Sequence, residues 1–120
     1  MKSFISSLGF AFNGIRKCFS KESHFKVHSF CTVLIIIAGY FFKLAASEWV
    51  VISLSIASVF AAELFNTSIE ILCNVVNSEI HPQIKLVKDM AAGAVLVMAV
   101  SAIVCGAIIF IPKIIQFITQ

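Results

Sequence analysis

Two carboxylates and two amides interrupt an apolar run at Glu63-Leu64-Phe65-Asn66-Thr67-Ser68-Ile69-Glu70-Ile71-Leu72-Cys73-Asn74. Seven residues of helix turn through about 700°, so Glu63 and Glu70 fall about 20° apart on one face and about 10 Å apart along it, with Asn66 and Asn74 close by. A lone acid at the centre of a membrane helix costs on the order of 3 kcal/mol on insertion scales, so this stripe demands partners, water or cations. One reading is a hydrogen-bond stripe that only joins helices, a task that Asn alone performs adequately. Carboxylates near a helix end also suit a hard cation such as Mg²⁺, whose ligands are oxygens. A single carboxylate nearer the membrane interior could take a proton from an alcohol held there.

A second polar cluster follows: Asn77-Ser78-Glu79-Ile80-His81-Pro82, then Lys85, Lys88 and Asp89. Backbone amides at a helix N-terminus together with Lys88 suit phosphate; a plain solvated loop is the competing reading. There is no GxxxxGK[ST] phosphate loop, no kinase glycine loop and no GxSxG elbow, so nucleotide chemistry here needs another architecture.

The elements that must position these groups are membrane helices. Of the 120 residues, 60% are hydrophobic and only 12% charged, with a mean hydropathy of +1.03. A soluble domain carries about 25% charge, so a soluble enzyme is excluded, and 12 Phe with long aliphatic runs exclude a disordered chain. Three spans are expected: 27–42, bounded by Lys26 and Lys43; 48–76, longer than the roughly 20 residues a crossing needs; and 90–112, between Asp89 and Lys113. The whole of 1–120 reads as one domain. Cys18, Cys31, Cys73 and Cys105 lie far apart with no CxxC, so neither a disulfide framework nor a zinc site is expected.

Residues 1–25 are not expected to be a signal peptide, because Arg16, Lys17 and Lys21 follow the apolar residues. On a helical wheel Phe4, Ile5, Leu8, Phe12, Ile15 and Phe19 share an arc of about 100°, opposite Lys2, Ser6, Asn13, Arg16 and Lys17, with Phe10 the exception. This pattern predicts an amphipathic helix lying in the membrane interface; a short first transmembrane helix is the alternative. Seven basic residues (Lys2, Arg16, Lys17, Lys21, Lys26, Lys85, Lys88) against two (Lys43, Lys113) predict that the N-terminus and the 77–88 loop are cytoplasmic. The basic residues form no dense patch beside aromatic side chains, so no nucleic-acid partner is expected.

Taken together, Glu63-x-x-Asn66-x-x-x-Glu70, Ser78-Glu79-x-His81-Pro82 and Lys88-Asp89-x-Ala91-Ala92-Gly93-Ala94 closely resemble the signature of the small bacterial integral-membrane diacylglycerol kinase and undecaprenol kinase family. Upstream, Asn13-Gly14-Ile15-Arg16 and Glu22-Ser23-His24-Phe25-Lys26-Val27-His28 resemble that family's amphipathic helix and its link to the first span. The resemblance covers nearly the whole chain. It implies an all-α membrane protein, an interfacial helix plus three transmembrane helices, assembled as a homotrimeric bundle in the bacterial cytoplasmic membrane with active sites shared between neighbouring chains. It also implies transfer of the ATP γ-phosphate to the hydroxyl of a membrane lipid alcohol, diacylglycerol or undecaprenol. By matched position Glu63 is the general base and Asn66 its orienting partner, Glu22 and Glu70 hold Mg²⁺, and Glu79, His81, Lys88 and Asp89 contact ATP. Arg16, Phe25, Lys26 and His28 are implied on the lipid side.

Asn74 stands where the family commonly has Asp, Ile80 and Phe10 where the diacylglycerol enzyme carries Tyr, and Ser3 where it carries Arg. His28 and the His81-Pro82 pair look more like the undecaprenol kinase branch. Two other classes compete: a small multidrug or ion transporter using an intramembrane Glu, and a nonenzymatic assembly subunit. The transporter expects few polar residues beyond the membrane-buried acid, whereas here the stripe continues into Glu79, His81, Lys88 and Asp89.

Overall fold

The computed structural model describes residues 2–76, 79 and 81–120. Asn77, Ser78 and Ile80, named above, lie outside the described residues. Among the described residues the regular structure is helical: α1 Lys2–Lys21, α2 Ser23–Phe41, α3 Ala46–Val76 and α4 Pro82–Thr119. The last three are long and apolar enough to cross a membrane. At 1.5 Å per residue α3 and α4 run about 46 and 57 Å, well beyond a hydrocarbon core of about 30 Å, so both must reach past it.

The helix ends follow from local chemistry. At Glu22 the backbone turns extended (φ −101°, ψ 118°), breaking the helical path over a single residue, so α1 stops four residues short of the expected interfacial segment. The Glu22 N–H still donates to the Cys18 carbonyl, and the Glu22 carbonyl accepts from Lys26 N–H. Between α2 and α3 the chain closes a Schellman turn. Leu44 N–H donates to the Gly39 carbonyl and Lys43 N–H to the Tyr40 carbonyl, satisfying carbonyls that the helix end leaves open. Lys43 takes the left-handed conformation (φ 54°) that glycine usually supplies there.

α4 begins with Pro82 in its first turn, after His81, whose Nδ1 accepts from Gln83 N–H at 3.2 Å. Proline is tolerated there because its missing N–H is one the helix cannot use. The same residue type sits inside the helix at Pro112, and α4 continues through it to Thr119, seven residues beyond the expected span. Packing explains the continuation: Phe117 lies 5.5 Å from the Phe41 ring and 6.2 Å from Phe42 at the end of α2, and Phe110 lies 6.2 Å from Phe42.

α3 and α4 form the most extensive helix pair. Two polar clasps fix their antiparallel register. Lys113 Nζ meets Glu48 Oε1 at 3.2 Å, and Lys88 Nζ donates to Asn74 Oδ1 at 2.7 Å. The spacing from Glu48 to Asn74 matches that from Lys88 to Lys113 to within one residue, about 38 Å of helix. Beside the first clasp lies the apolar core, Leu44, Ile52 and Ile109 with Ile35, Trp49, Ile56 and Phe110 packed on it. The polar stripe occupies the other half of α3. Because lipid is as apolar as these side chains, close packing rather than water exclusion holds the helices together.

Candidate active site

Glu63 is 5% exposed and is the one buried charged side chain among the described residues. A buried carboxylate without a partner is strongly unfavourable. The partner comes from α2: His28 Nε2 lies 3.1 Å from Glu63 Oε1. An ionised carboxylate only accepts hydrogen bonds, so this contact puts the ring proton on Nε2 when Glu63 is ionised.

Aromatic packing brings these two residues together. Phe25, buried near the start of α2, sets its ring edge-on 4.9 Å from Phe60 of α3 and 6.1 Å from Phe19 of α1. His28 follows Phe25 by three residues and Glu63 follows Phe60 by three, so each polar residue shares a helix face with its aromatic neighbour. Because α2 and α3 run antiparallel, three residues forward on one helix is three back along the other, so the Phe25–Phe60 and His28–Glu63 contacts cross over one another and together pin the two helices at this level. The His28 ring also lies 6.5 Å from Phe60, and the His28 carbonyl accepts from the Thr32 hydroxyl. Phe25, implied on the lipid side by resemblance, is 4% exposed and spends its surface on this wedge.

On the adjoining face of α3, the buried Cys18 of α1 donates its thiol to Thr67 Oγ1 at 3.8 Å. A cavity of about 740 Å³ opens between α1 and α3. Phe10, Ile15, Leu64, Phe65 and Ile71 give it apolar walls, while Lys17, Lys21, Glu22, Thr67 and Ser68 supply polar groups. Such a lining fits an amphiphile with a polar head. Glu22 is the residue before α2, yet its carboxylate makes no capping hydrogen bond, leaving its oxygens available to the cavity that it lines.

The remaining stripe residues do not close on Glu63 within the chain. Asn66 is half-buried and Glu70 exposed, and neither is hydrogen-bonded to Glu63 among the described residues. Asn74 instead accepts from the Lys88 ammonium, which ties α3 to α4. Asp89 accepts from Lys85 Nζ at 2.7 Å on the exposed face of α4. His81 is exposed and caps α4; Glu79, Arg16 and Lys26 are also exposed. Among the described residues no group of three or more His, Cys, Asp or Glu side chains forms a metal cluster. Mg²⁺ needs only one or two protein carboxylates when waters and substrate phosphates complete its shell, so the donor types at Glu22 and Glu70 fit that ion.

Two pairings escaped the sequence reading. His28 was legible as a residue of interest, but its bond to Glu63 crosses between helices. The signal available was indirect: a buried acid requires a partner, and His28 is an ionisable residue in the second turn of the preceding span. The Asn74–Lys88 clasp likewise depends on the α3–α4 register.

Residues 9–110 match the family described as prokaryotic diacylglycerol kinase. Among curated proteins the chain is 36% identical over 113 residues to the undecaprenol kinase of Bacillus subtilis (strain 168), covering 94% of this chain and 92% of that one. It is 30% identical over 115 residues to a diacylglycerol kinase of Synechocystis sp., covering 95% and 66%. The diacylglycerol kinase of Escherichia coli (strain K12) is 25% identical over 105 residues, covering 88% and 86%. With the matched region spanning α2, α3 and most of α1 and α4, the chain belongs to the prokaryotic diacylglycerol kinase family of lipid kinases.

Proposed function

We propose that this lipid kinase transfers the γ-phosphate of ATP to the hydroxyl of a membrane lipid alcohol, with undecaprenol favoured over diacylglycerol, at the cytoplasmic face of the bacterial membrane. The observation that carries the reading is the buried Glu63 carboxylate, bonded to His28 on a helix whose next residue, Leu64, lines the α1–α3 cavity. Undecaprenol is favoured because the Bacillus subtilis relative named for it is 36% identical, against 30% and 25% for the Synechocystis and Escherichia coli relatives named for diacylglycerol. Both alcohols present one hydroxyl beside apolar chains, which the cavity's apolar walls and polar groups accommodate.

Phosphoryl transfer asks a protein mainly for positioning and charge neutralisation. Glu63 accepts the proton of the lipid hydroxyl as that oxygen bonds to the γ-phosphorus, while the bond from the γ-phosphorus to the bridging oxygen breaks and ADP leaves. Asn66, one turn along α3, orients the acceptor side. Glu22 and Glu70 hold Mg²⁺, which supplies charge neutralisation on the ATP phosphates. Glu79, His81, Lys88 and Asp89 contact the nucleotide from the start of α4, where a helix N-terminus favours phosphate.

α1 lies in the interface with Arg16 toward headgroups, as does Lys26 in the first turn of α2, and the subunits assemble as a homotrimer whose sites draw on neighbouring chains. The shape of one chain supports assembly: its radius of gyration is 17.8 Å, against about 14 Å for a compact globule of this length.

The test is radiolabelled ATP with purified protein in mixed micelles containing each alcohol in turn. Label is expected in undecaprenyl phosphate. Label in neither lipid overturns the kinase reading, and label only in the diacylglycerol product reverses the choice of acceptor.

A further inference from the structure

The hydrogen bond between α2 and α3 points beyond the assignment of a base. We propose that His28 is a positioning residue for phosphoryl transfer, its Nε2–H holding Glu63 Oε1 so that Oε2 is presented to the lipid hydroxyl. This rests on Glu63 serving as the base.

Three observations carry it. First, His28 is the hydrogen-bond partner that the structure gives to the buried carboxylate, at 3.1 Å; Asn66, on the same helix, is not bonded to it. Second, the contact is built rather than incidental, because Phe25 wedged against Phe60 fixes the facing turns of α2 and α3, and His28 itself packs edge-on to Phe60. Third, the pair is graded in exposure, with the Glu63 side chain 6% and the His28 side chain 28% exposed. The imidazole thus covers Oε1 of a carboxylate more enclosed than itself. The terminal torsion of Glu is broad and nearly two-fold, so an unheld carboxylate samples many orientations. A donor on one oxygen selects one plane and leaves the second oxygen free. Misplacing a reacting group by about 1 Å can cost on the order of a hundredfold in rate, so this restraint acts on turnover more than on affinity.

The experiment measures kcat and KM for ATP and for undecaprenol with purified protein in mixed micelles. His28→Ala is expected to lower kcat by at least about tenfold with both KM values within about twofold of the parent. His28→Gln, whose amide nitrogen falls where Nε2 stands, should recover most of kcat. His28→Asn, whose shorter amide stops near the Nδ1 position, should not. If His28→Ala fails to assemble, the Gln and Asn variants carry the comparison alone. In a Glu63→Gln background the His28→Ala change should cost little more, because a residue acting through Glu63 has nothing left to position.

A rise in lipid KM at unchanged kcat would make His28 a lipid contact and overturn the proposal. So would a full multiplicative loss in the Glu63→Gln background, or equal behaviour of the Gln and Asn variants. The two readings fail separately. Normal turnover of Glu63→Gln removes the base, and His28's role with it, whereas a disabled Glu63→Gln beside a normal His28→Ala removes only the positioning role.

Discussion

Glu63 is a buried carboxylate with an imidazole partner, and its proposed role as base can be separated from packing by substitution. Glu63→Gln keeps the size and hydrogen-bonding capacity of the side chain but cannot accept a proton. A general base contributes typically 10²–10⁴-fold, so turnover should fall by at least about a hundredfold in a folded protein with ATP and lipid affinities little changed. Asn66→Ala should lose less, since it orients without replacing the base. Near-normal turnover of Glu63→Gln would send the search for the base to Asp89. The metal assignment is tested on its own axis. Glu70→Gln should shift the Mg²⁺ requirement to much higher concentration, one of two anionic ligands being lost, and an unchanged titration would remove Glu70 from the site. The sequence made Glu63 legible as a site because the cost of burying an acid depends on residue type and surroundings along one helix. What it could not supply was His28 as the partner, because that contact depends on how α2 packs against α3.

The helices themselves were legible where charge bounds an apolar run, as between Lys26 and Lys43, and less so where tertiary packing overrides a local stop signal. Pro112 marks the end of a span by pattern, yet α4 passes through it because Phe117 has Phe41 and Phe42 to pack on. The α2–α3 turn offers a test confined to this scale. A Cβ on Gly39 would stand 2.5 Å from Trp49 Cη2 and 2.9 Å from Cζ2, so the indole must move out of the position in which it packs, tilted, 5.0 Å from Tyr40. Overpacking of this kind costs typically 1–3 kcal/mol. Gly39→Ala should therefore lower the thermal stability of the protein in detergent, and Trp49→Leu in the same chain should return part of the loss by removing the obstructing ring. Lipid phosphorylation per folded protein should stay near normal, because this turn lies at the opposite end of α3 from the Asn74–Lys88 clasp. A Gly39→Ala protein as stable as the parent would show that the indole relaxes without cost.

At the scale of the molecule, one chain is a thin plate of 59 × 42 × 22 Å that seals Glu63 but leaves Glu70 and Asp89 exposed. Glu70 lies inside the expected 48–76 span, where an exposed carboxylate needs a partner, and the proposed homotrimer would give every chain the same neighbour to supply one. Glu22 lines a cavity with Thr67 and Ser68 of its own α3, so the proposed homotrimer is expected to draw Glu22 and Glu63 of one site from the same chain. Asp89, paired only along α4 with Lys85 among the described residues, is the group best placed to serve the next chain. Coexpressing Glu63→Gln chains with Asp89→Asn chains tests this. If each site takes Glu63 from one chain and Asp89 from its neighbour, random mixing leaves about a quarter of the sites with both intact, and activity should recover toward that fraction. Mixing Glu63→Gln with Glu22→Gln should recover nothing, because every chain then lacks one member of the same half-site. Recovery in the second mixture would place Glu22 across a subunit boundary, and failure of the first in demonstrably mixed oligomers would confine the whole site to a single chain.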